Sequence, residues 1–305
     1  MLANIWFWVF NAVVLFLLAM DLFVFHRKAH VVSFKEAAGW SAFWVSLSLI
    51  FCAVIGFTLG KPKGVEFLTG YLIEYALSMD NIFVFVLIFS YFQVKPEYQH
   101  RVLFWGIMGA LVMRAVMIFA GVAMVTKFSW TIPILGLFLL VTGIKMVLPG
   151  SEEVDLDQNF MLRFCRRCFR VAPQYHGTRF LVKADGKWML TPLALVLLVV
   201  ETTDLIFAVD SIPAIIGITQ DSFIVYTSNI CAILGLRSMY FMLARGVDHF
   251  TYLKYGLSAV LSFVGVKMML AWFDIHVSIV LSLGVVFSLL VLSVLASLIW
   301  KKKEA

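Results

Sequence analysis

The sequence predicts an all-α, polytopic membrane protein, and three observations carry that prediction. Hydrophobic residues fill 62% of the 305 positions and charged residues 14%, against about 45–50% and about 25% in a soluble domain. Apolar runs long enough to cross a bilayer, around 20 residues each, recur along the whole chain and give nine expected spans. Carboxylates sit inside two of those runs, where an unpaired charge is costly and so reads as a functional site.

The expected spans are roughly 4–25, 40–59, 67–92, 102–125, 131–149, 190–218, 223–245, 252–272 and 276–300. The first lacks a basic leader and a small-residue cleavage site, so it reads as a retained span rather than a signal peptide. Asp21 near its end is expected to reach the headgroups. Short connections separate the others, such as 61–64 (Lys-Pro-Lys-Gly) and 95–97 (Lys-Pro-Glu). Trp6, Trp8, Trp40, Trp130, Trp188, Trp272 and Trp300 fall near span ends, as an aromatic belt requires. The exception is the connection 150–189, which opens acidic and turns basic. Its piece 160–171 alternates basic and apolar residues, so it is expected to lie along the headgroups. Its end, 180–190, carries Asp185-Gly186 between strand formers and predicts a β-hairpin. Thr191-Pro192 then opens the next helix. Lysine and arginine concentrate in the loops after spans one, three, five and seven, which places 150–189 in the cytoplasm and the N-terminus outside. The basic tail 301–303 then falls on the outer side, against the rule.

An internal repeat organises the middle. Asp80-Asn-Ile-Phe83 matches Asp204-Leu-Ile-Phe207 at an offset of 124; Arg114 matches Arg237 at 123; Gly143-Ile-Lys-Met146 matches Gly265-Val-Lys-Met268 at 122. Each unit holds three spans, so the second is expected to enter the membrane inverted. Inverted repeats with a site at their interface are an architecture of secondary transporters. The chain thus divides into N-terminal helices (1–60), a first unit (66–149), the cytoplasmic loop (150–189), a second unit (190–272) and a C-terminal helix with its tail (273–305). Lys145 and Lys267 lie close to span ends and are expected to snorkel.

The candidate site is oxygen only. Glu74, Asp80 and Asn81 come from the first unit, Glu201, Asp204, Asp210 and Ser211 from the second, with hydroxyls from Ser78, Thr202 and Thr203. All six histidines lie in loops or at span ends. Hard oxygen donors suit Mg²⁺, Ca²⁺ or Mn²⁺ rather than zinc or copper. Arg114 and Arg237 are charge partners that leave the five carboxylates about three negative charges in excess, enough for a divalent cation and a proton. Metal binding would then be coupled to proton release. At 100° per residue Glu201 and Asp204 share a face, Asp210 opposes Glu201, and Glu74 and Asp80 stand about 120° apart. With Pro213 nearby, both acidic helices are expected to be kinked or broken at the site, freeing carbonyls as further ligands.

Cys52 and Cys231 read as small core residues. Cys165-Arg-Arg-Cys168 has neither a second pair nor a histidine at zinc spacing, and reads as two loop cysteines. No phosphate-binding loop is present, nor H-E-x-x-H or G-x-S-x-G, so neither ATP drive nor enzymatic activity is expected. No basic run with interleaved aromatics suggests nucleic acid.

The acidic segments carry a resemblance. Residues 67–74 (Phe-Leu-Thr-Gly-Tyr-Leu-Ile-Glu) through Asp80-Asn81, Val200-Glu201 through Asp204, 207–214 (Phe-Ala-Val-Asp-Ser-Ile-Pro-Ala), 232–237 (Ala-Ile-Leu-Gly-Leu-Arg) and 253–256 (Leu-Lys-Tyr-Gly) resemble the TerC family of integral membrane proteins, over about residues 35–285. That family is tied to tellurite resistance by name and to manganese export by activity. The resemblance implies a Mn²⁺ exporter in a bacterial inner membrane, with the ion on Glu74, Asp80, Glu201, Asp204 and Asp210. The expected function is therefore proton-coupled export of Mn²⁺ by alternating access, with no tightly bound cofactor; association with further copies of the chain is compatible with it. The alternative is a membrane scaffold or pH-responsive subunit that supports metallation of exported proteins.

Overall fold

A computed structural model describes residues 2–20, 33–148, 170–184, 187–243 and 252–299. Ten helices and one hairpin account for them: α1 (Leu2–Met20), α2 (Phe34–Thr58), α3 (Lys61–Tyr91), α4 (Pro96–Lys127), α5 (Thr131–Val147), β1 (Leu181–Ala184), β2 (Lys187–Leu190), α6 (Pro192–Ile216), α7 (Ser222–Leu234), α8 (Leu236–Leu243), α9 (Leu253–Trp272) and α10 (Ile279–Ile299). Six of them, α2, α3, α4, α6, α9 and α10, are long and apolar enough to cross a membrane, while α1 and α5 are apolar but shorter. The protein is a polytopic helical membrane protein. Much of its apolar surface faces outward, including Phe57, Val112, Val116, Val280 and Leu292, as lipid-facing helices require.

Local chemistry sets the helix starts. Ser33 and Glu36 form a reciprocal capping box at α2. Thr191 caps α6 ahead of Pro192, and Asp221 accepts from the Phe223 and Ile224 N–H groups at α7. The segment expected to be a loop at 61–64 is instead the first turn of α3. Pro62 has no N–H to lose there, and Gly60 (φ 101°) makes the turn before it. That shift brings Glu66 into the helix. The hairpin forms as expected, with Leu181 opposite Leu190 and Ala184 opposite Lys187; the turn pair Asp185-Gly186 lies outside the described residues. So do Asp21, the amphipathic piece 160–169, Cys165, Cys168 and the tail 301–303.

The expected seventh span is not one continuous helix. It divides at Gly235 into α7 and α8. Gly235 has the lowest helix propensity among ordinary residues, and its carbonyl accepts from the Ser238 hydroxyl at 2.9 Å. Conversely, α3 and α6 run unbroken past their acidic residues, contrary to the expectation of broken helices. Pro213 sits in the last turn of α6, so the helix bond it removes lies at the C-terminal end, beyond the acidic residues.

Packing crosses between the two halves. α3 packs on α7, α4 on α6, and α5 on α9, the last being the most extensive helix pair. Glycines make that pair close. A side chain at Gly136 would meet the Gly265 carbonyl at 2.8 Å, and one at Gly143 the Ser258 carbonyl at 2.8 Å. The Ser258 hydroxyl donates to the Gly143 carbonyl at 2.5 Å. Lys145 is exposed, consistent with snorkelling, whereas Lys267 is buried and interacts with Glu66 rather than reaching outward. Cys52 is half-buried and Cys231 buried, both as free thiols.

Candidate functional site

Three helices bring charge to one point. Glu74 on α3, Arg114 on α4 and Asp204 on α6 each lie at least about 18 Å from the nearer end of their helix, at 1.5 Å per residue. All three are buried, Glu74 and Arg114 completely. Arg114 donates from Nε to Asp204 Oδ2 at 3.0 Å and from Nη2 to Asp204 Oδ1 at 2.7 Å, a bidentate pair. Its Nη1 bonds Glu74 Oε1 and reaches the Ser211 hydroxyl at 3.4 Å. One guanidinium therefore joins the acidic helix of each half.

Every carboxylate oxygen of the pair is occupied. Ser78 donates to Glu74 Oε1 at 3.4 Å, and Asn229 Nδ2 on α7 to Glu74 Oε2 at 2.9 Å. Asn229 is fully buried, and its Oδ1 accepts no hydrogen bond among the described residues. A small cavity beside Asp204, with room for about one water, is lined by Gly106, Ala110, Val200 and Arg237 among others. Arg237 and Asp204 thus line the same cavity.

The other candidates are placed unevenly. Glu201 interacts with Asp204 and lies so close over Gly109 of α4 that any side chain there would overlap its carboxylate. Asp210 is further along α6 with Thr142 of α5 as partner, outside the arginine network. Asn81 is buried on α3. Asp80 lies on α3, but its side chain is outside the described residues. Thr202 and Thr203 donate to the Leu198 and Val199 carbonyls one turn back, at 2.7 Å each, so neither offers its proton to the site. The arrangement is more dispersed than a single ring of acids. Among the described residues no three acidic, histidine or cysteine side chains converge as a metal site would need.

Sequence reasoning missed Asn229, Gly109 and a second charged cluster. At the N-terminal end of α3, Glu66 is buried and accepts from Lys63 Nζ at 3.0 Å and from the Thr219 hydroxyl at 2.5 Å. Lys63 also pairs with Asp221 at 3.0 Å. The signal for Glu66 was its eight-residue spacing from Glu74, two helical turns, but the expected span began at residue 67. Asn229 carried no sequence signal, since one asparagine in an apolar helix has many explanations.

At the opposite end of α3, residues 170–184 cover the helix termini. Tyr175 donates to the Phe92 carbonyl at 2.6 Å, and burial pushes its phenol up from the ordinary tyrosine range. Arg101 donates to Thr178 at 3.0 Å and lies over the Phe180 ring.

Residues 59–305 match the sequence model of the integral membrane protein TerC family. The uncharacterized membrane protein STKORF319 of Myxococcus xanthus is 54% identical over 290 residues, covering 95% of this chain and 91% of that protein. Proteins of Salmonella typhi and Escherichia coli K12, both called Alx and named as proposed membrane-bound redox modulators, are 47% and 46% identical over 293 residues. Each alignment covers 93% of this chain and 91% of the relative. No solved structure matches. Agreement of this breadth, over the segments that build the arginine–carboxylate network, means that the chain belongs to the TerC family of integral membrane proteins.

Proposed function

We propose that this protein is a secondary transporter of the bacterial inner membrane that exports Mn²⁺, coupled to proton entry, through the carboxylates of α3 and α6. The observation that carries the reading is the meeting of Glu74 and Asp204, from the two halves of the chain, at mid-helix depth and away from solvent. Buried carboxylates at such depth mark ion pathways. The orphan Oδ1 of Asn229 adds a hard neutral oxygen beside Glu74, and Glu201 a further carboxylate within electrostatic reach of Asp204.

The reading includes an inverted repeat of three-helix units, α3–α5 and α6–α9, within nine crossings of which α7 and α8 together make the seventh. Its support is an exchange symmetry in the packing. At the offset of 122, Gly136 corresponds to Ser258 and Gly143 to Gly265, so the contact of Gly136 with Gly265 and that of Gly143 with Ser258 map onto each other. The α3–α7 and α4–α6 pairings exchange in the same way. A two-fold relation of this kind gives a transporter two near-equivalent packings, the basis for alternating access.

Mn²⁺ flux into proteoliposomes of the purified protein, with Asp204→Asn and Asp210→Asn beside it and the pH gradient varied, tests the reading. Flux by the wild type that rises with an opposing proton gradient and is lost in Asp204→Asn is the expected result. Absence of flux from folded, inserted wild type under every gradient refutes it. A second reading, a scaffold for metallation of exported proteins, draws on the docking of residues 170–184 onto α3 and α4. It predicts failure on deletion of 150–189 and tolerance of Asp204→Asn. Cys52 and Cys231 are free thiols within electrostatic reach of each other and carry no role in this reading.

A further inference from the structure

We infer that Arg114 is a resident counter-ion that the transported cation must displace, so that this arginine sets the affinity of the site and drives release. The inference rests on the transport reading and deepens it. All four carboxylate oxygens of Glu74 and Asp204 already accept hydrogen bonds, three of them from the guanidinium. A divalent ion takes its oxygen ligands at about 2.0–2.6 Å, and while the guanidinium sits on three of the four oxygens its positive charge opposes a cation at that distance. An arginine serving only to neutralise one buried acid would need one carboxylate. Arg114 instead divides its nitrogens between the acidic helices of both halves, with Ser211 as a third partner. Displacement by the ion therefore loosens one half from the other, and return of the guanidinium expels the ion. The planar fork suits this role, because bidentate bonding gives a competitor stronger than a single ammonium.

The test is Mn²⁺ binding by titration calorimetry on purified protein in nanodiscs, for the wild type, Arg114→Gln and Arg114→Lys. Each is checked for folding by thermal melting, and net flux and Mn²⁺/Mn²⁺ exchange are measured in proteoliposomes. Arg114→Gln should bind Mn²⁺ at least about tenfold more tightly, the scale of one charge-assisted hydrogen bond, and Arg114→Lys by a smaller factor. Both should keep exchange and lose net flux, because nothing expels the ion. If a folded variant binds no more tightly than the wild type, the inference is overturned. It is overturned too if neither variant folds, which would make Arg114 a structural strut. If all three fold and none binds Mn²⁺, the metal-site reading itself fails, so the two failures are told apart.

Discussion

Two ionic clusters on α3 differ in depth and in what holds them. The central one, Glu74–Arg114–Asp204, lies at mid-helix and is sealed from solvent. The terminal one, Glu66–Lys63–Asp221 with Thr219, begins in the first turn of the same helix, with Lys63 and Asp221 each about one-third exposed. Each ties α3 to the second half of the chain. The central cluster is shut off from bulk solvent, so its members depend on one another. In the terminal cluster the exposed Lys63–Asp221 pair can exchange its bond for water at small cost.

The largest effect should come from breaking the central cluster outright. Asp204→Ala leaves the buried guanidinium half-paired and should cost about 3–5 kcal/mol, read as a large drop in melting temperature in detergent. Retention of wild-type stability would mean that solvent reaches the site. Next, Gly136→Leu overpacks the α5–α9 contact against the Gly265 backbone and should cost about 1–3 kcal/mol. If the two-fold relation holds, a bulky residue at Ser258, the counterpart of Gly136, should act alike.

Tyr175→Phe removes the bond to the Phe92 carbonyl at the opposite end of α3 and should cost about 1 kcal/mol. Because burial raises the folded-state pKa of this phenol, its contribution is complete below the unfolded value of about 10 and falls as pH rises beyond it. The difference between wild type and Tyr175→Phe should shrink in strongly alkaline buffer. Smallest is Lys63→Gln in the terminal cluster, expected at about 0.2–1 kcal/mol and diminishing as salt is raised. A loss as large as that of Asp204→Ala would erase the distinction between the clusters.

The middle of the chain was legible because chemistry stood out against an apolar background. Glu74, Asp204 and Arg114 were conspicuous as charges in hydrocarbon-length runs, and the hairpin followed from Asp185-Gly186. What misled was local reasoning about backbone. Pro62 and Pro213 read as a loop and a break, yet Pro62 occupies the first turn of α3, where no intrahelical N–H bond is lost, and Pro213 falls in the last turn of α6, beyond Glu201, Asp204 and Asp210. The real interruption, at Gly235, carried no polar flag.

By itself the sequence determined that this chain is a polytopic helical membrane protein, and which side chains are too costly to bury idly. Those properties follow from composition and spacing, which act along the chain. Only the tertiary structure decided which acids share a counter-charge. Asp204 and Glu74 meet on Arg114, Asp210 turns to Thr142, and Asn229 arrives from α7, because partner choice depends on how helices distant in sequence rotate and pack. The glycines at 109, 136 and 265 set those approaches, and a glycine states in sequence only that a side chain is absent, not what fills its place.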